Sequence, residues 1–153
     1  RTGGQAPKDR HPSRQEYRGI ELTRQSKKLG MPFNLKPAHW PTNAAPSCYA
    51  IIAAQNEGGD VGKLCQLFMA AVWAENRDIA QDDVVRDCLE KAGFNSDIAE
   101  KGMLQGADTF ARNLEEAVEK GVFGAPFYIL DDGQKFWGQD RLEDLDLVLA
   151  GKL

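Results

Sequence analysis

Four consecutive residues near the carboxyl end, Gly138-Gln139-Asp140-Arg141, offer backbone amides and charged side chains suited to holding a charged ligand. They join a strand-like run to the start of a helical pattern, where free amides and the helix dipole favour an anion. Asp140 could hold a ligand ammonium group while those amides hold its carboxylate. Alternatively, Asp140 only caps the helix and Arg141 is solvated.

A second candidate is the tripeptide Gly124-Ala125-Pro126, which leads into an apolar run. Proline cannot donate to a sheet ladder, so Pro126 is expected at the first position of a strand or at a bend, where its peptide bond could be cis. A bend would leave the backbone N–H and C=O of Ala125 free to pair with an extended ligand. A plain strand start is the alternative.

A third candidate is the proline-rich segment around Trp40, with Pro41, Thr42 and Asn43. An aromatic wall and polar groups on a rigid path suit a planar organic substrate, although such a tryptophan often simply packs. Neither histidine has the partners of a catalytic triad, and no phosphate-binding loop is present.

Composition and charge narrow the function classes. The 153 residues are 42% hydrophobic and 27% charged, which is typical of a globular domain, and no apolar run is long enough to cross a membrane. Three separated cysteines and two histidines argue against a metal site and favour reduced thiols in the cytoplasm.

Charge is distributed unevenly along the chain. Through Lys36 there are nine basic and three acidic residues, whereas the rest of the chain has ten basic and twenty acidic residues. This pattern favours a small acidic ligand over nucleic acid.

Hydrophobic periodicity and stop signals predict a mainly helical chain that ends in a hairpin and a helix. Ser13 and Glu16 form a capping-box pattern, and Asp140 with Glu143 is expected to cap the last helix. The predicted helices are roughly Arg14–Leu29, Ala44–Gln55, a segment capped by Asp60, Asp82–Ala92, Ser96–Lys101 and Asp108–Lys120.

The predicted strands are Phe127–Leu130 and Lys135–Trp137, joined by a turn at Asp131-Asp132-Gly133. The first strand is apolar on both faces, so other elements are expected to pack on both sides of its sheet. An isolated hairpin would be only marginally stable. We therefore expect further strands upstream of Arg1.

Two segments together resemble the carboxyl-terminal signature of the 2-hydroxychromene-2-carboxylate isomerases. They are Gly121-Val122-Phe123-Gly124-Ala125-Pro126 and Phe136-Trp137-Gly138-Gln139-Asp140-Arg141-Leu142. The same order of features includes Tyr17 in a basic helix, Gly30-Met31-Pro32-Phe33, the Trp40-Pro41-Thr42 loop and the stretch from Ala71 to Ile79. These isomerases are DsbA-like thioredoxin-fold proteins related to kappa-class glutathione transferases.

The resemblance implies an α/β, DsbA-like thioredoxin fold with an inserted helical domain, the first β-α-β portion being absent from this chain. Residues 1–12 would be a linker, 13–106 the helical insertion and 107–153 the carboxyl-terminal thioredoxin half. The family's catalytic serine, which holds the glutathione sulfur as a thiolate, would lie upstream of Arg1.

The resemblance also implies glutathione as cofactor, lying extended against the strand that a cis-proline precedes. Pro126 matches this proline, Ala125 would pair with the cysteinyl backbone, and Gln139 and Asp140 would meet the γ-glutamyl end, with Arg141 binding or bracing. Arg14 and Tyr17 match a lysine and a tyrosine that border the site in the related transferases. Residues approaching the substrate would be Trp40, Pro41, Thr42 and Asn43.

The function implied is a cytoplasmic, glutathione-dependent isomerase of aromatic catabolism that interconverts 2-hydroxychromene-2-carboxylate and trans-o-hydroxybenzylidenepyruvate. Its substrate is a small aromatic or chromene carboxylate, with neither nucleic acid nor membrane as partner, and a homodimer is left open. The alternatives are a kappa-like glutathione transferase, a DsbA-like thiol-disulfide oxidoreductase, and a non-catalytic thiol- or acid-binding protein.

Overall fold

A computed structural model describes all 153 residues, which form seven α-helices and one pair of short strands. The elements are α1 (Pro12–Leu29), α2 (Ala45–Glu57), α3 (Val61–Trp73), α4 (Asp82–Ala92), α5 (Ile98–Lys101), α6 (Met103–Glu119), β1 (Phe127–Ile129), β2 (Lys135–Trp137) and α7 (Leu142–Leu149). Short 3₁₀ turns occupy Pro7–Asp9 and Gln139–Arg141. None of the helices combines the length and apolarity needed to cross a membrane.

The chain divides into two compact units. The helical unit is Pro7–Asn113, and the strand unit combines Arg1–Ala6 with Leu114–Leu153. The boundary between them falls inside α6. The division predicted from the resemblance, at residues 12/13 and 106/107, remains a prediction.

The helical unit has a continuous apolar core built by α2 to α5. Apolar residues spaced three and four apart on α3 face this core, and Leu64, Phe68 and Val72 are buried there as their periodicity predicts. On α4, Val84, Val85, Cys88 and Leu89 form the buried face. The periodic pattern therefore identified the core-facing sides of both helices.

Tight backbone approach joins the start of α6 to α2. A Cβ at Gly106 would lie 2.8 Å from Tyr49 Cβ and 3.0 Å from Tyr49 Cα, so only glycine fits without displacing α2. The α6 helix begins at Met103, five residues before the predicted Asp108, and Gly106 is thus helical. Because glycine lowers helix propensity, the sequence pattern did not predict this first turn of α6.

The strand unit contains an antiparallel hairpin. β1 and β2 pair Phe127 with Trp137, Tyr128 with Phe136 and Ile129 with Lys135. Leu130 N donates to Gln134 O at 3.0 Å across the predicted turn. All three residues of β1 are half-buried, so neither face of this strand is fully covered.

Two predicted caps are wrong. His11, not Ser13, caps α1, because Pro12 takes the first helical position and the Ser13 N–H donates to His11 Nδ1 at 3.3 Å. Asp140 does not cap α7, which begins at Leu142 without a side-chain cap. A 3₁₀ turn intervenes and places Asp140 before the helix start.

Candidate functional site

The first group of candidate residues lies where β1 begins, in the strand unit. The Ala125–Pro126 peptide bond is cis, as the resemblance predicts. Gly138 N donates to Pro126 O at 3.0 Å, which holds the end of β2 beside the start of β1. Ala125 is exposed, and no hydrogen bond within the chain uses its N–H or C=O. Its backbone is thus available to an extended ligand.

The turn after β2 places a carboxylate directly over a glycine. Gly138 has φ 102°, and a Cβ at this position would collide with Asp140 Oδ1. Arg141 Nη1 donates to Asp140 Oδ2 at 3.1 Å, and all three side chains of the 3₁₀ turn, including Gln139, are exposed. The turn therefore presents one acceptor and one cationic group to solvent.

An aromatic cluster supports the start of β1. Phe123 meets Phe127 and Trp137 edge to face, with ring centroids 5.1 and 5.0 Å apart. The Trp137 indole lies against Gly124 so closely that a Cβ there would collide with Trp137 Nε1. These rings fix the backbone that leads into Ala125, and sequence reasoning assigned them no role.

In the helical unit, Arg14 and Tyr17 lie one turn apart on α1, and both are exposed. Helix positions three apart share a face, so the guanidinium and the phenol are neighbours on this surface. No ion pair engages the Arg14 side chain.

The Trp40 side chain packs against another tryptophan and is also partly accessible. Its ring lies 5.1 Å from that of Trp73 at a tilt of 47°, and Phe33 stacks on Trp73 at 5.5 Å. Trp40 is nevertheless 48% exposed. The Trp40–Pro41 bond is also cis, which sequence reasoning did not predict.

Sequence reasoning missed the residues that hold this segment in place. Thr42 Oγ1 donates to Asp78 Oδ1 at 2.5 Å, and Ala38 N donates to Asn76 Oδ1 at 3.1 Å. Hydrogen bonding from Thr42, then from the Ala80 N–H, lowers the pKa of Asp78. These contacts span 36 and 38 residues, so no local pattern could reveal them.

The cysteine thiols do not have the properties of activated nucleophiles. Burial raises the pKa of Cys48, Cys65 and Cys88, which favours the protonated thiol over the reactive thiolate. Cys88 is buried in the core, and the other two are half-buried. A catalytic nucleophile is therefore not assigned among the three cysteines.

The candidate residues thus form two groups, each within its own unit. Ala125, Pro126, Gln139, Asp140 and Arg141 belong to the strand unit. Arg14 and Tyr17 on α1, and the segment Trp40, Pro41, Thr42 and Asn43, belong to the helical unit. Their roles toward a ligand remain predictions.

Comparisons with known proteins agree on the family. A family model described as a DSBA-like thioredoxin domain matches residues 1–150. The 2-hydroxychromene-2-carboxylate isomerase of Sphingobium xenophagum is 29% identical over 119 residues, which are 74% of this chain and 59% of that protein. The chain thus spans less than two thirds of this curated relative.

A solved structure of a 2-hydroxychromene-2-carboxylate isomerase has the same fold. It aligns with a TM-score of 0.75 at 22% identity, covering 97% of this chain and 71% of that one. The predicted fold class is confirmed, and the chain belongs to the DsbA-like thioredoxin domain family.

Proposed function

We propose that this protein is a glutathione-dependent isomerase of 2-hydroxychromene-2-carboxylate, acting in the catabolism of aromatic compounds in the cytoplasm. The curated relative and the solved structure both bear the name of this isomerase. The structural observation that supports glutathione binding is the exposed, unbonded backbone of Ala125 beside the start of β1.

The strand unit offers groups that match the chemistry of glutathione. The Ala125 N–H and C=O would pair with the backbone of the cysteinyl residue, as one strand pairs with another. Asp140 would accept from the γ-glutamyl ammonium group, and Gln139 would donate to its carboxylate. Arg141, which already holds Asp140, would keep that carboxylate oriented.

When bound, glutathione would supply a thiolate that adds reversibly to the chromene skeleton, allows ring opening and bond rotation, and leaves again. In the helical unit, the Arg14 guanidinium would attract the substrate carboxylate, and Tyr17, one turn further along α1, would border the substrate. The exposed face of Trp40 would stack on the planar ring. The group that activates the thiol is not assigned among residues 1–153.

The test combines binding with turnover. We expect calorimetry to detect saturable glutathione binding, and Ala125→Pro, which removes the N–H, to weaken it about tenfold or more. Asp140→Asn should weaken binding of glutathione but leave binding of a des-amino analogue unchanged. Asp144→Asn, an exposed carboxylate on α7, is the matched control.

Turnover is followed by the absorbance change on ring opening. The proposal predicts a rate that requires glutathione, with S-methylglutathione binding but not supporting reaction. Conjugation of electrophiles without ring opening would instead indicate a glutathione transferase. Thiol-disulfide exchange independent of added glutathione would indicate an oxidoreductase, and glutathione binding without any turnover would indicate a binding protein.

A further inference from the structure

The segment from Asn34 to Asn43 lacks regular secondary structure but is tied at several points to the residues that follow α3. Asn34 N donates to Trp73 O at 2.6 Å, and Asn34 Nδ2 donates to Ala74 O at 3.0 Å. Asn76 Oδ1 accepts a hydrogen bond from the Ala38 N–H, and the Trp73 ring packs against the Trp40 ring. The candidate substrate-facing segment therefore takes its position from residues 73–78.

Asp78 is the most constrained member of this second segment. Its Oδ1 accepts from the Ala80 N–H at 3.1 Å as well as from Thr42, and its Oδ2 accepts from Gln81 Nε2 at 3.2 Å. Donors thus orient both oxygens. Because these donors, Thr42 above all, lower the pKa of Asp78, the carboxylate is ionised near neutral pH.

An ionised carboxylate can only accept hydrogen bonds, so the proton between Thr42 Oγ1 and Asp78 Oδ1 belongs to threonine. A threonine hydroxyl has one proton and two acceptor lone pairs. Because that proton is bonded to Asp78, Thr42 Oγ1 can accept a hydrogen bond from a ligand but cannot donate one. It would therefore bind a ligand hydroxyl or N–H group, and it would disfavour a carboxylate oxygen.

We propose that Thr42 is a specificity-determining residue whose Oγ1 accepts a hydrogen bond from the hydroxyl group of the 2-hydroxy acid substrate. Asp78 is the positioning residue, because it binds the Thr42 proton and so leaves Thr42 only as an acceptor. The inference rests on the proposed function, because it places the substrate hydroxyl beside Trp40. The substrate carries a hydroxyl and a carboxylate on one carbon, so a site that distinguishes them fixes which face of that carbon is presented.

The test compares two ligands by quenching of tryptophan fluorescence, since Trp40 lies two residues before Thr42 in the chain and its ring packs against that of Trp73. One ligand is 2-hydroxychromene-2-carboxylate, and the other is chromene-2-carboxylate, which lacks the hydroxyl. Thr42→Val should weaken binding of the hydroxy acid about three- to tenfold, the range of one hydrogen bond, and change the second ligand less than twofold. Thr42→Ser, which keeps the hydroxyl, should retain the discrimination.

The role of Asp78 is tested by coupling. Asp78→Ala should reduce discrimination to the level of Thr42→Val, and the double variant should show no further loss. Asp83→Asn, at an exposed position on α4, is the control and should leave discrimination unchanged. Near-ultraviolet circular dichroism from the Trp40–Trp73 pair confirms that each variant keeps the local packing.

Equal weakening of both ligands by Thr42→Val would overturn the inference, as would full discrimination in Asp78→Ala, or no binding of the hydroxy acid by the unaltered protein. Failure of the proposed function gives a different result. In that case the hydroxy acid binds with discrimination, yet no glutathione-dependent ring opening occurs.

Discussion

The two units of the molecule bury apolar surface in different ways. In the helical unit, thirteen apolar residues from α2 to α5 and the loops between them form one buried cluster. In the strand unit no residue is fully buried, and its packing relies on the half-exposed rings of Phe123, Phe127 and Trp137. Fixed core contacts therefore stabilise the first unit, whereas adjustable aromatic contacts organise the second.

This difference matters because each unit carries its own group of candidate residues. The segment from Ala38 to Asn43 is held by hydrogen bonds from Ala38 and Thr42 to Asn76 and Asp78, which follow α3 in the chain. The Ala125 backbone is held by a hairpin of two three-residue strands. We expect the first group to be rigid and the second to depend more strongly on single contacts.

The largest expected effect tests the core of the helical unit. Leu64 is fully buried, so Leu64→Ala should lower the free energy of unfolding by about 2–5 kcal/mol through lost burial and a residual cavity. Leu104→Ala, at a position 86% exposed, should change it by less than about 0.5 kcal/mol. Urea denaturation measures both, and equal losses would contradict the contrast.

Alanine at two close-packed glycines compares the units directly. Gly106→Ala should destabilise by about 1–3 kcal/mol, because the new Cβ meets the Tyr49 backbone on α2. Gly124→Ala should cost less, because the obstructing Trp137 side chain is 51% exposed and can swing away. Urea denaturation gives the stabilities, and tryptophan fluorescence should shift in Gly124→Ala. The opposite order of stabilities would mean that the aromatic cluster is as fixed as the core.

Removing an aspartate at a helix start should also destabilise the helical unit more than the strand unit. Asp60 Oδ1 accepts from Lys63 N at 2.9 Å, so Asp60→Ala should destabilise by about 1 kcal/mol. Asp140→Ala should change stability by less than about 0.5 kcal/mol, because Asp140 caps no helix. Thermal unfolding followed by circular dichroism distinguishes them, and a comparable loss in both would show that the 3₁₀ turn depends on Asp140.

The smallest expected effect is a pH dependence in the helical unit. Hydrogen bonds from Lys91 and Arg77 lower the pKa of Asp87 below its usual value. Its stabilising contribution is therefore complete above the ordinary aspartate pKa and is lost as the pH falls below it. In urea denaturation, Asp87→Asn should be less stable than the unaltered protein at pH 7, with the difference shrinking toward pH 3. A constant difference would assign the effect to something other than ionisation.

Local patterns predicted most helices because each signal lies within a few residues. Asp82–Ala92 and its stop at Gly93 were predicted with the observed bounds, and Leu64, Phe68 and Val72 form the buried face that their spacing indicated. The errors occurred where two local signals competed. At Ser13 the preceding Pro12 moved the cap to His11, and at Asp140 the positive φ of Gly138 led into a 3₁₀ turn instead of a helix.

The sequence by itself determined the amphipathic helices, the presence of the hairpin and the family, because periodicity, turn residues and the paired end segments are read along the chain. Only the tertiary structure decided that Asp78 receives the Thr42 hydroxyl, that Trp40 lies on Trp73, and that the Ala125 backbone is left without a partner. These features join or separate groups tens of residues apart. Their geometry depends on how the elements pack, which no local pattern encodes.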